Sequence, residues 1–273
     1  MRSISYFFTL SIFVFLINQV KAHDYSSQAK YLGNEAVLVI AKDDKQIKKV
    51  LFDPFFHNAY SIYTLVPSEI RTSIFAGEKP YNNIDAIFVS HAHGDHFSAI
   101  DVLTYLTSYP KTKLVAPKQA INEILKLNDS NKVKQQLISV ELQYKETAKR
   151  YSVGNILIDA VRIPHAGWPG RAEIENIVFR VKLDDNTTVM HLGDADPNRI
   201  HFDLHQKHWN AQKTNLAFSP YWFYLSVEGK DILDNQINSE NSSGVHAPTK
   251  IPRQLIETGR NFLSKPGEVR EIK

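Results

Sequence analysis

The chain has 273 residues, 43% of them hydrophobic and 22% charged, with a formal net charge of +3. That suffices for one large core without requiring two, and 11% aromatics with near-balanced charge exclude disorder as the main state. The charge is too small to argue for nucleic acid or anionic lipid, and the lack of cysteine excludes disulfides, thiol nucleophiles and Cys-based metal sites, so any metal must be held by His, Asp or Glu.

Residues 1–22 read as a targeting segment. Arg2 gives a positive start, Tyr6 to Ile17 form an apolar run of 12 residues, and Val20-Lys21-Ala22 offers small residues at both positions of a cleavage site. The run is short for a membrane span. Cleavage after Ala22 would leave a domain of residues 23–273, remove Arg2 and Lys21, and lower the charge from +3 to +1. A periplasmic or secreted protein is expected, with no stable membrane span after cleavage.

Ala36–Ile40 and Lys49–Phe52 read as strands, the second closed by Asp53-Pro54. Asp85–Ser90 is a nearly continuous apolar run, as in a strand buried on both faces. Ser98–Tyr109 reads as a helix with an S-x-x-D start and with Ile100, Leu103 and Leu106 on one face; Pro110 ends it. Lys113–Ala116 is a strand, and Pro117 opens a helix carrying Ile121, Ile124, Leu125 and Leu127. Ile156–Ile163 alternates like a strand. Ile177–Val181 and Thr187–Leu192 form a hairpin around Asp184-Asp185-Asn186. Asn215–Phe218 is a late strand, 234–244 a loop, and Ile251–Leu263 a closing helix. Strands interleaved with helices predict an α/β domain with the helices outside the sheet.

The chemistry is concentrated after the buried strand, in His91-Ala92-His93-Gly94-Asp95-His96. Three imidazoles and a carboxylate on a strand-to-helix loop can turn toward one point, and Gly94 permits the turn. Donors this close repel when protonated, and a divalent cation relieves that. His165, in Ile163-Pro164-His165-Ala166-Gly167, Asp194, in Leu192-Gly193-Asp194-Ala195-Asp196, and His246, in Gly244-Val245-His246-Ala247-Pro248, sit where strand ends meet loops and fit the same site.

The motif order H-x-H-x-D-H, a lone His, G-D and a final lone His resembles the metallo-β-lactamase superfamily along the whole chain after the leader. The resemblance implies an αββα sandwich of two mixed sheets flanked by helices, with a dinuclear site on one edge. It places His91, His93 and His165 on the first metal, Asp95, His96 and His246 on the second, and Asp194 between them. The zinc β-lactamases lack a bridging Asp there, and one class uses Cys. The chain is therefore more similar to the broad hydrolase branch of lactonases, phosphodiesterases and thioesterases, and Asp53-Pro54 with His246 is similar to the group of the ascorbate-6-phosphate lactonase and the N-acyl-phosphatidylethanolamine phospholipase.

The resemblance implies a metal-dependent hydrolase acting on a small-molecule substrate, with two divalent ions, Zn2+ first and Fe or Mn as alternatives. Two cations about 3.5–4 Å apart share a water and lower its pKa to roughly 7, giving a nucleophile for an ester, lactone or phosphodiester-type bond. Asp95 is the expected catalytic carboxylate, orienting that nucleophile and later carrying a proton. The competing readings are an iron-dependent oxidoreductase of the same fold, a zinc β-lactamase, and a non-catalytic metal-binding module. Asp53 and Asp196 are candidates for buttressing the metal-binding imidazoles. Trp168–Arg171 and Pro220–Tyr224 are candidates for a substrate wall, with Arg171 or Lys250 facing an anionic group. His201, His205 and His208 recur as on one helix face and make an accessory metal site conceivable. Oligomeric state is not legible.

Overall fold

A computed structural model describes residues 26–43 and 46–273; the expected leader and its cleavage point lie outside the described residues. Among these residues, thirteen strands form two sheets, one of seven in the order β13-β1-β2-β3-β4-β5-β6 and one of six in the order β12-β11-β10-β9-β8-β7. The first sheet comprises β1 (Ser27–Gly33), β2 (Ala36–Lys42), β3 (Ile47–Phe52), β4 (Ala86–Phe88), β5 (Lys113–Pro117), β6 (Leu137–Val140) and β13 (Val269–Ile272). The second comprises β7 (Lys149–Val153), β8 (Ile156–Arg162), β9 (Ile177–Lys182), β10 (Thr188–His191), β11 (Thr214–Pro220) and β12 (Ser239–Val245). Each sheet mixes antiparallel hairpins with parallel pairs: β3, β4, β5 and β6 run parallel, as do β10, β11 and β12.

The near-continuous apolar strands follow from burial on both faces. Alternation along β2 sends Val37 and Val39 into the seam between the sheets and Leu38 and Ile40 outward under helices. In the seam Phe52 and Phe88 of one sheet stack at 4.9 Å between ring centres, and Phe88 meets Phe179 of the other at 5.2 Å. The outer face of the first sheet is covered by α1 (Ser68–Ala76), α2 (Ala99–Ser108), α3 (Lys118–Leu127) and α4 (Asn131–Lys134); the outer face of the second by α5 (Arg199–Asp203), α6 (Gln206–Ala211), α7 (Val227–Asp231) and α8 (Arg253–Glu257). This is the expected four-layer sandwich.

Several local expectations are corrected. The polar stretch 234–244 is a loop only in part: Ser239–Val245 forms edge strand β12, whose outer residues face solvent, so its composition imitates a loop. The closing helix shrinks to α8, because Gly259 adopts a φ of +65° and turns the chain into an extended segment. Ser98 does cap α2, accepting from the Asp101 amide, but the buried face carries Val102, Tyr105 and Leu106, while Ile100 is 66% exposed. Leu127 at the end of α3 is 51% exposed. Among the described residues, no helix is long and apolar enough to cross a membrane.

Candidate metal centre

Every site-bearing segment emerges on one edge of the sandwich. The H-x-H-x-D-H loop follows β4, His165 follows β8, Asp194 follows β10, and His246 follows β12. The two sheets are joined there by the Ile177 amide donating to the Ser90 carbonyl at 2.9 Å. All seven predicted residues converge, in two groups. The candidate donor atoms of His91, His93, His165 and Asp194 lie within 4.8 Å of one another, as do those of Asp95, His96 and His246.

Asp194 stands between the groups. Its Oδ2 is 3.2 Å from His165 Nε2 and 3.8 Å from His91 Nε2, while its Oδ1 is 3.2 Å from His246 Nε2 and 3.4 Å from His96 Nε2. Asp95 Oδ2 completes the second group at 3.4 Å from His246 Nε2 and 3.6 Å from His96 Nε2. The outer nitrogens of His91, His96 and His165 face protein oxygens, while His246 Nδ1 is buried without a hydrogen-bond partner. His96 Nδ1 donates to Asp53 Oδ2 at 2.9 Å, and His165 Nδ1 donates to the Ala166 carbonyl at 2.8 Å. Ser90 Oγ donates to Asp53 Oδ2 at 2.6 Å, so His91 Nδ1 donates to Ser90 Oγ at 3.0 Å. In the neutral ring each such bond keeps the proton on Nδ1 and leaves the inward Nε2 as the donor atom.

That arrangement fits cations. Ring nitrogens stand 3.1 Å apart in the pairs His91–His93 and His96–His246, and the buried atoms His165 Nε2 and Asp194 Oδ1 have no aligned hydrogen-bond partner. Imidazole and carboxylate donors converging this closely are what a divalent ion accepts in exchange for their protons.

Local backbone geometry sets these side chains. Gly193 takes a φ of +52°, and a Cβ there would stand 2.4 Å from Asn176 Oδ1 and 2.6 Å from Ser90 Cβ. Asn176 Oδ1 accepts from the Asp194 amide at 3.0 Å, so this close approach aims Asp194. Gly193→Ala should cost about 2–4 kcal/mol from overpacking and left-handed strain, seen as a lower melting temperature.

Sequence reasoning missed the tip of the β1–β2 hairpin, which reaches under the site. Asn34 Nδ2 donates to the Asp95 carbonyl at 2.9 Å, and the Asn34 carbonyl accepts from the His246 amide at 2.9 Å. Glu35 is fully buried, with its Oε2 3.6 Å from His191 Nε2 and 4.0 Å from His96 Nδ1, and neither carboxylate oxygen has a hydrogen-bond partner. Burial first, then the Asp194 carboxylate, pushes Glu35 well above the usual carboxylate range. His191 lies flat on Phe52 and faces the Glu35 carbonyl at 3.0 Å.

Asp53 is the buttress expected of it; Asp196 is not. Its Oδ2 accepts from the Gly167 and Trp168 amides, at 3.2 and 3.3 Å, and so shapes the loop after His165. The three later histidines do not share a helix, because the chain breaks between α5 and α6 at Leu204-His205. His201 Nδ1 is 2.8 Å from the Tyr144 hydroxyl and His208 Nδ1 is 3.2 Å from Arg180 Nη2, so each packs with its own partner. His57 pairs with Asp101 at 2.8 Å.

A cleft of about 450 Å³ opens over the cluster, floored by His93, Asp95, Asp194 and His246 and walled by Tyr60, Ile62, Tyr63, Arg171, Glu173 and Ile174. Arg171 is thus in the predicted wall. Trp222 packs against His246 at 5.2 Å, while Phe223 and Tyr224 are buried in the core beneath the second sheet.

In the metal-free state the charges of the two groups differ. Burial pushes His91 well below its ordinary value and also lowers His93. Burial opposes the charge on His96 too, but Asp194, Asp53 and Asp95 outweigh it and hold the ring up, to about 9; His246 is likewise held well above by Asp194. His96 then stabilises the metal-free fold fully below pH 6.5, a contribution lost as the pH rises through about 9, and His246 contributes in the same direction. Cations compete with these protons and gain with rising pH. The increase in melting temperature on adding metal should therefore be larger at pH 9 than at pH 6.5 by calorimetry; an increase that does not grow with pH would contradict this.

A family model described as a beta-lactamase superfamily domain matches residues 48–214, more than half of the chain. The chain belongs to the beta-lactamase superfamily. It is similar to UPF0173 metal-dependent hydrolases of Pyrococcus furiosus and Pyrococcus horikoshii, at 27% identity in each case, over 44% and 62% of this chain. The matches span 54% and 61% of those relatives, so the chain covers roughly half to three-fifths of their length. Among solved structures, an isothiocyanate hydrolase from Delia radicum gut bacteria shares the superfamily fold with a TM-score of 0.54 at 12% identity, covering 89% of this chain and 98% of that one. The resemblance expected from the motif order is thus borne out for the fold and the superfamily.

Proposed function

We infer that this member of the beta-lactamase superfamily is a metal-dependent hydrolase that binds two divalent cations and cleaves an ester, lactone or phosphodiester-type bond of a small molecule. The observation that carries the reading is Asp194, whose two oxygens face two separate sets of imidazoles. His91, His93 and His165 would hold one cation, Asp95, His96 and His246 the other, and Asp194 both. Bound there, zinc, manganese or ferrous ions would acidify water to a pKa of roughly 7 and polarise the oxygen of the bond being broken.

The chain's own groups supply the rest. Asp95 lies in the floor of the cleft. Burial works against its charge, but the His246 hydrogen bond and His96 outweigh it and hold the carboxyl below its usual range. Asp95 is therefore ionised at neutral pH and able to take a proton at Oδ2 and return it to a leaving oxygen. Tyr63, edge-on to His246 at 4.1 Å, and Ile174 wall the cleft beside the reacting bond. Asp95→Asn should leave His91, His93 and His165 able to load metal while lowering turnover by about 10²–10⁴-fold. Elemental analysis beside a rate measurement separates this from simple metal loss.

Export forms part of the same proposal and rests on the leader pattern of residues 1–22. Fractionation of cells producing the full chain tests it; retention of the unprocessed chain in the cytoplasm would refute it.

The activity is tested with chelator-stripped protein reloaded with zinc, manganese or ferrous ions and offered chromogenic esters, lactones and phosphodiesters. Two equivalents of metal and metal-restored turnover of one bond class are expected. Failure to take up metal, or turnover unaffected by the chelator, overturns the reading.

A further inference from the structure

The metal cleft does not end at its own walls. It shares His93 and Ile174 with a hollow of about 340 Å³ beside α3, and that hollow shares Glu123 and Lys126 with a groove of about 500 Å³ between the 57–58 loop, the start of α2 and the end of α3. Cleft and groove also adjoin more directly. A Cβ on Gly94, which lines the groove, would lie 3.9 Å from the hydroxyl oxygen of Tyr60, which lines the cleft. Gly94 sits between His93 and Asp95, so the groove begins one residue from the proposed metal ligands.

The lining is apolar where it matters. Phe97, Ala99, Ile100 and Leu127 line it, and Glu123 and Lys126, opposite in sign, stand on its edge. Ile100 is 66% exposed and Leu127 51% exposed, although Val102, Tyr105 and Leu106 already satisfy the inward face of α2. Neither exposed side chain is needed for the core. One edge is cross-linked by ion pairs: His57 is 2.8 Å from Asp101, and Asp101 is 2.6 Å from Arg71. A preformed apolar groove with balanced edge charges selects by hydrophobic contact. The groove adjoins the metal cleft across Gly94, where the Asn58 amide donates to the Gly94 carbonyl at 3.2 Å, so an arm that crosses this loop from the metals reaches it.

We propose that the substrate carries an alkyl or aryl arm of several carbons, seated in the groove over Phe97, Ile100 and Leu127 while its scissile group occupies the metal cleft. This deepens the hydrolase reading and rests on it for the placement of the scissile group.

The test uses binding, so it does not depend on which bond is cut. Metal-loaded full chain is titrated by calorimetry with n-alkyl carboxylates from acetate to decanoate, each below its micelle threshold. The dissociation constant should fall about fourfold per added methylene until the groove is filled. Ile100→Asp and Leu127→Asp, both on the surface and outside the metal centre, should leave acetate binding unchanged and weaken decanoate more than tenfold. A flat series, no binding by any member, or variants that keep the full gradient would overturn the proposal. Graded binding without turnover in the substrate panel would instead sink the hydrolase reading and leave the groove standing; turnover with flat binding would do the reverse.

Discussion

Asp194→Ala should remove metal and activity together. One carboxylate serves both imidazole groups, with one oxygen 3.2 Å from His165 and the other 3.2 Å from His246. Its loss deprives each cation of a negative ligand and removes the group that fixes their separation. Removing a mere outer partner of a metal ligand costs about 10–100-fold in affinity or activity, so the fall here should exceed about 100-fold in both. The metal-free protein suffers as well. Burial works against the Asp194 charge, but His246 and His96 outweigh it and hold the carboxyl well below its usual range, so the ionised group is part of the network that keeps those rings charged. Elemental analysis after dialysis against zinc decides the matter. A variant that keeps two equivalents and its full rate would refute the shared-ligand geometry.

Glu35→Gln should move two properties in opposite directions. In the metal-free protein Glu35 is an enclosed acid with no hydrogen-bond partner, and burial together with the Asp194 carboxylate works against its charge. A near-isosteric neutral amide avoids that cost and should raise metal-free stability by about 1–3 kcal/mol. With two divalent cations in place the balance reverses. Asp53, Asp95, Asp194 and Glu35 are the buried carboxylates around the centre, and their four charges match the four positive charges of the ions. Removing one should weaken metal affinity by about 10–100-fold. Denaturation of the stripped variant and competition with a chromogenic chelator read the two effects separately. A variant destabilised without metal and unaltered in affinity would show that Glu35 acts through packing alone.

The legibility of the site followed the distance along the chain over which its parts cooperate. His91, His93, Asp95 and His96 announce themselves because four donors share one loop after an apolar strand, and His165, Asp194 and His246 could be added because each ends a recognisable strand. The contribution of Asn34 and Glu35 was hidden. Both sit in a hairpin turn, and their value lies in where that turn reaches. The Gly33-Asn34 pair, with Asn34 at a φ of +46°, turns the chain there, but a turn pair carries no sign of what the turn will touch. In the fold, β2, β3, β4 and β5 were legible from their apolar runs, whereas β1, packed on both faces but carrying Ser27, Gln28 and Lys30, was not. Nor were β12 and β13, on the sheet edges, because solvent on their outer side lets polar residues dominate them. His201, His205 and His208 misled for the converse reason: spacing suggests a shared face only while one helix persists, and here two short helices meet at His205.

The ligand set is divided between the two sheets. Residues 91–96 leave the first sheet, whereas His165, Asp194 and His246 leave the second. Each cation would therefore fasten one half of the sandwich to the other at the mouth of the seam, in a chain that has no cysteine to do so covalently. Proteases attack what opens, so the lifetime of this protein in a metal-poor medium should be set by the supply of ions, and scarcity would thin its population before it slowed any surviving molecule.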